Sequence, residues 1–311
     1  MALLDVARNA LPLVGVDPAV LNDADVAHAV VLGHNVVSVH GVPGVEVALR
    51  RNGQLLEGSV TVAPGVEVAR PIHLCFGLEG PRDVQEVRVD FQLGQGARAR
   101  VTSCCAFPGA RDARHLMHAT LVLGTDAVLT YNEHHHHGMH GAMIVAPHAS
   151  VRVGTGARFF SNFALLAGAA GKLEIDYDVA VGDDGLAELS ARVVARQADE
   201  VTLKEAVRLV GVRSRGLIRS RVVVQDDAHA EVVGITEAAG RLARGHVDCR
   251  EIVLGRARAG ATPVVRVLHP EAKVTHEAAI GSVDRKELET LMARGLSPEQ
   301  AIELVVSGIL R

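Results

Sequence analysis

Short Val-rich segments punctuated by Gly, Asp and Asn follow one another from about Ala27 to Val267. Apolar and polar residues alternate clearly in Lys172-Leu173-Glu174-Ile175-Asp176-Tyr177-Asp178-Val179 and again in Leu186-Ala187-Glu188-Leu189-Ser190-Ala191-Arg192-Val193. The same pattern recurs in Arg219 to Val224 and in Ala230 to Ile235. A period of two marks strands with one buried face. Turn residues at short intervals then predict an all-β coil, sandwich or barrel. No strict repeat signature is evident. The many strands after residue 85 nevertheless contain few Pro and no long loop, which suits a solenoid whose coils bury one another's faces.

The period changes at both ends. Residues 2–24 predict one or two short helices interrupted around Pro12 and Pro18. Near the C-terminus, Asp284 is a helix cap with Glu287 three positions on. Leu288, Leu291 and Met292 then fall at helical spacing, and Gly295 is a natural stop. Ser297, Pro298 and Gln300 open a second helix, whose apolar face holds Ala301, Ile302, Val305 and Ile309. Such a pair caps the coil or docks a partner. The expected division is a helical segment 1–26, a β core 27–268 and a helical segment 269–311.

Composition narrows the picture. Hydrophobic residues are 48% of the 311, but aromatics are only 3% and Trp is absent. The core must therefore be filled by Val, Leu, Ile and Ala, as suits thin repeated layers. The net charge of -4 with no basic run argues against a nucleic-acid groove. No apolar run reaches bilayer length, and Met1 to Val20 lacks a signal-peptide pattern. The expectation is a cytoplasmic protein whose four cysteines are reduced thiols. No P-loop, G-x-S-x-G or H-E-x-x-H motif occurs, so any nucleotide hydrolysis belongs to a partner and the chain reads as a non-enzyme.

Candidate chemistry gathers in the last third. Cys249 enters a strand from Gly245-His246-Val247-Asp248, with Glu251 two residues beyond. Thiolates are preferred iron–sulfur ligands. His276 and Glu277 follow about one coil later, and imidazole and carboxylate are competent iron ligands. These are too few to close a cluster site within one chain, whereas a symmetric dimer doubles the set. A buried apolar thiol is the plainer role for Cys249. The other cluster is His134 to His137 with His140 nearby. On a strand, His134 and His136 share one face and could bind a divalent metal. Cys104 and Cys105 are adjacent, so they point to opposite faces and cannot chelate as a pair; both are read as structural, as is Cys75.

The stretch HPEAKVTHEAAIGSVDRKELETLMARGLSPEQAIELVVSGIL, from His269 to Leu310, closely resembles the C-terminus of SufB/SufD proteins. ARGHVDCREIVLG, from Ala243 to Gly255, resembles that family's cysteine-bearing strand, and two central segments are similar to its short archaeal-type members. The resemblance covers about residues 85–311. It implies a mainly β protein with a right-handed parallel β-helix. It further implies a scaffold for a transient iron–sulfur cluster, held at a dimer interface by Cys249, His276 and Glu277, with His246 and Glu251 beside them. Where SufB has Glu before the His, this chain has Thr275. The C-terminal helices, through Leu288, Leu291, Met292, Ile302 and Val305, would dock a SufC-type ABC ATPase. The short length implies pairing with itself, or with a second SufB/SufD-like subunit, and a sulfur donor protein as a further partner. Two rival readings are an all-β metal-dependent enzyme, using His134 to His140 on a cupin-like barrel, and a solenoid that polymerises end to end. The capped helix pair reads as a terminator and argues against the latter.

Overall fold

In the computed structural model, which describes residues 3–140 and 143–310, the alternating segments wind into a parallel β-solenoid of two facing sheets. Strands β1 (His28–Leu32), β2 (Asn35–His40), β5 (Ile72–Gly77), β7 (Arg98–Phe107), β9 (Val128–His137), β11 (Arg158–Ala167), β13 (Leu186–Ala195), β15 (Arg215–Val224), β17 (Arg244–Val253) and β19 (Lys273–Gly281) form sheet A. Strands β3 (Val45–Asn52), β4 (Leu55–Val62), β6 (Val84–Leu93), β8 (Ala113–Leu123), β10 (Met143–Val153), β12 (Lys172–Val181), β14 (Glu200–Leu209), β16 (His229–Ala238) and β18 (Arg258–Val267) form sheet B. From β4 onward the chain alternates between sheets, so each of these strands pairs in parallel with the strand one coil away. Among the described strands, β1–β2 and β3–β4 are the antiparallel pairs.

Val128, Arg158, Leu186, Arg215, Arg244 and Lys273 stand in one stacked column. One coil therefore takes 28 to 30 residues. Its corners use left-handed residues at matching points, among them Asp126, Gly156 and Asp184. The alternation puts one residue set in the lumen. In β12, Leu173, Ile175, Tyr177, Val179 and Val181 are buried while the residues between them face outward. Each buried Val, Leu or Ile contributes about 1.5–3 kcal/mol of transfer free energy, so stacked aliphatic layers replace a thick aromatic core.

The N-terminal helical pieces are α1 (Leu3–Ala10) and 3-10 turns over Leu11–Val14 and Pro18–Asn22. Ala7, Leu11, Val16 and Val20 cover Val30, Cys75 and Cys104 on the outer face of sheet A. Cys105 joins the lumen core instead, so the adjacent thiols do point apart. Helices α2 (Arg285–Met292) and α3 (Pro298–Ile309) begin at the expected caps. The Asp284 side chain accepts from Lys286 and Glu287, and Ser297 and Gln300 complete a capping box.

Two expectations need correcting. The segment 269–311 is not wholly helical, because β19 occupies Lys273–Gly281. Its alternation is masked by the small residues Ala278, Ala279 and Gly281. Nor does the helix pair terminate the coil. Leu288, Val305, Val306 and Ile309 fold back on Val194, Val223 and Ile252 along the outer face of sheet A. The last strands stay uncovered: all of β19 except Val274 is exposed, as are Val267 and Leu268 at the end of β18. Residues 1, 2 and 311 of the terminal segments lie outside the described residues. Among the described residues no helix is long and apolar enough to cross a membrane.

Candidate functional site at the open end of the solenoid

Cys249 lies on β17, one strand in from the edge of sheet A. Strand alternation turns Val247, Cys249 and Glu251 into the lumen and His246, Asp248 and Arg250 outward. Cys249 is 1% exposed, so the thiol is covered within a single chain and does not lie bare at the end of the stack. Burial pushes it up to about 11, against the opposing effect of a hydrogen bond with Ser220; the carboxylates of Glu251, Glu205 and Asp248 add to the rise. The thiol is therefore protonated at neutral pH. It becomes a thiolate ligand only when that environment changes.

Polar groups surround it in an otherwise aliphatic layer. Ser220, beside Cys249 in register on β15, donates to Glu251 Oε1 at 3.3 Å. Glu251 Oε2, Glu205 Oε2 and Thr236 Oγ1 are buried without a partner. Gly234 of β16 faces the thiol across the lumen, its Cβ direction ending 3.8 Å from Sγ. Glu205 is the register neighbour of Gly234. Burial raises Glu205 to about 8 and Glu251 to about 7. The chamber thus holds one thiol and two carboxyl groups that burial raises towards neutral pH. An arrangement that leaves buried acceptors unmatched is costly, and it is suited to a cationic occupant.

Glu205 links this chamber to folding. Its folded-state value lies above the ordinary 4.5, so the fold favours the protonated acid. That contribution is complete below about pH 4.5 and is withdrawn as pH rises through about 8. Urea stability is expected to fall between pH 5 and 9. In Glu205→Gln, which supplies a neutral side chain of the same size, the fall should be clearly smaller; an unchanged slope would contradict a buried ionisable Glu205.

The remaining candidates separate. On β19, His276 is the register partner of Val247 and Glu277 that of Asp248. His276 therefore shares the lumen parity of Cys249, whereas Glu277 takes the outward parity; both are exposed on the edge strand. His246 accepts from or donates to Thr275 Oγ1 at 2.8 Å on the outer face, outside the thiol chamber. His134 and His136 do share a face, but it is the outer face of sheet A on β9, four strands from β17. The cupin-like barrel expected for a metal enzyme is replaced by the solenoid. Of the helix residues, Leu288 and Val305 pack onto the sheet, Leu291 and Ile302 are half-buried, and Met292 is exposed.

The fold and site define a parallel β-solenoid with a covered thiol, two buried carboxyl groups and bare terminal strands at one end. Comparison with known proteins gives the same class a family. The family described as SUF system FeS cluster assembly, SufBD core domain, matches residues 76–309. An iron-sulfur cluster assembly SufBD family protein of Methanocaldococcus jannaschii is 34% identical over 275 residues, 88% of this chain and 87% of the relative. One from Pyrococcus horikoshii is 31% identical over 92% of this chain and 87% of its own length. The iron-sulfur cluster assembly protein SufD of Bacillus subtilis matches at 29% over 42% of this chain and 30% of its own. The chain belongs to the SufBD family of iron–sulfur cluster assembly proteins.

Proposed function

We propose that the chain is a scaffold subunit on which a nascent iron–sulfur cluster is built at the junction of two copies, in concert with a SufC-type ABC ATPase. The observation that carries this reading is the position of Cys249, one strand in from the bare β19 edge, with the edge strand β18 of the facing sheet at the same end. An exposed edge presents unpaired N–H and C=O groups that invite another strand. Two copies meeting through β18 and β19 bring both His276 and both Cys249 residues to one seam. Each chain then supplies a thiol, an imidazole and the Glu251 carboxyl, a set competent for iron. The cluster is cargo, built and passed on. A thiol that rests protonated under cover suits such a duty, because it must be uncovered on demand and shielded afterwards.

The helix pair supports the ATPase partnership. It lies flat on sheet A behind the Cys249 strand, with Met292 and Leu304 exposed. A partner that moves α2 and α3 pulls on Ile252, three residues from Cys249. A sulfur donor protein completes the expected set of partners.

Oligomeric state tests this reading. Light scattering should find the wild type as a dimer and Ile280→Asp, which puts a charge on exposed β19, as a folded monomer. A wild type that stays monomeric at all concentrations would remove the basis for a shared site.

A further inference from the structure

A second cluster of metal-binding side chains lies deep in the lumen, in the β5–β12 coils, away from the open end. Cys105, Glu133 and His135 each bring a donor atom within 4.8 Å of the others, and all three are buried. Register explains the meeting: Cys105 of β7 stands beside His135 of β9, and Ser103 beside Glu133.

Hydrogen bonds orient these donors from both sides. Gln85 gives its amide hydrogens to the carbonyls of Gly77, at 3.2 Å, and Gly33. Its Oε1 must therefore accept from His115 Nδ1 at 2.9 Å. His115 Nε2 is left with a lone pair, 3.7 Å from Cys105 Sγ. On the other side the Ala169 carbonyl can only accept, so His137 Nδ1 donates to it at 3.2 Å. An uncharged His137, as burial without a counter-charge favours, then accepts at Nε2 from His135 Nδ1, 3.2 Å away. That leaves the His135 Nε2 lone pair facing Glu133 Oε1 at 2.9 Å. Two acceptors face each other with nothing but a shared proton or a cation to join them. Tyr177 donates to the other Glu133 oxygen at 2.9 Å and fixes the carboxylate. Imidazoles held through their far nitrogen by amides and carbonyls are the usual outer support of a metal ligand.

We propose that Cys105, Glu133 and His135, with His115 as fourth donor, form a site for one divalent, thiophilic cation of the Zn2+ or Fe2+ kind, separate from the cluster chamber. One sulfur, two imidazoles and one carboxylate suit a four-coordinate ion. Bonds of about 2.0–2.3 Å place ligand atoms roughly 3.5 Å apart, so Cys105, Glu133 and His135, now within 4.8 Å of one another, draw together on the ion, and His115, 3.7 Å from the Cys105 sulfur, swings in to complete the set. Cys105 binds as thiolate and its proton leaves to solvent. Cys105, Glu133 and His135 are all buried, so the ion is taken up as the coils close, and it ties β7, β8 and β9 together.

Co2+ is the probe. The full chain is produced in cells supplied with Co2+ and washed with chelator before spectroscopy. The site predicts about one retained Co2+ per chain, with intense tetrahedral d–d bands and a sulfur-to-cobalt charge-transfer band. Cys105→Ala should lose the charge-transfer band and at least tenfold of the metal; Cys249→Ala and the double variant His134→Ala/His136→Ala should keep both. Anomalous diffraction from the wild type needs no variant: an ion between Cys105, Glu133 and His135 supports the site. A folded wild type without Co2+, or with its ion only at exposed histidines, would overturn it.

Discussion

Replacing Cys249 by Ala should reduce the cluster retained after anaerobic reconstitution with Fe2+ and sulfide by at least tenfold, to background, while the protein remains folded. The size of the effect follows from chemistry. Cys75 and Cys104 lie under the N-terminal helices and Cys105 lies deep in the lumen, so no other thiol stands near the open end. Carboxylates and imidazoles bind iron but do not replace thiolate as the anchor of an iron–sulfur cluster. The cost to the fold is small, because a buried thiol packs as a small hydrophobe and Ala leaves a modest gap. Unchanged thermal unfolding combined with lost cluster absorbance separates a missing ligand from a broken coil. Equal cluster content in both proteins would remove Cys249 from the site.

Gly211→Val should destabilise the solenoid by about 3 kcal/mol or more, the upper end of what overpacking costs. A Cβ at Gly211 would lie 2.0 Å from the carbonyl carbon of Gly182 and 2.1 Å from the nitrogen of Asp183, where no side-chain rotation relieves the clash. One coil above, a Cβ at Gly240 would meet the Gly211 oxygen at 1.8 Å. The corners of successive coils touch backbone to backbone. In a stack held by nearest-neighbour interfaces, a wedge at one corner parts the whole layer. Gly308→Ala is the control, since nothing lies within 4 Å of its added carbon. Urea midpoints should fall sharply for the first and stay level or rise slightly for the second, because Ala favours the helix.

The same corner explains what could and could not be read along the chain. Strands and their faces were legible from period-two alternation, and both C-terminal helices from their caps, because each depends on neighbours within four residues. The coil length was legible only roughly: His276 was expected about one coil after Cys249, whereas the register partner of Cys249 is Ala278. Gly94, Gly124, Gly154, Gly182, Gly211 and Gly240 mark one corner at intervals of 28 to 30 residues, but the interval drifts and the other positions share burial rather than identity. Once that spacing is known, Cys105 falls beside His135 and Ser103 beside Glu133. Without it, His135 is one residue in a polar run, and His134 and His136 draw attention instead. The cover over Cys249 was hidden for a related reason. Pattern places it near the end of the β region with one more coil to follow, but only the register of β19 shows that this coil is a strand paired directly beside the thiol.

Native mass spectrometry of the anaerobically reconstituted protein tests the central claim most directly. The mass should be that of two chains plus one cluster, with single chains bare and the Cys249→Ala dimer empty. Clusters carried by single chains, or kept by the variant, would contradict a site completed between two copies.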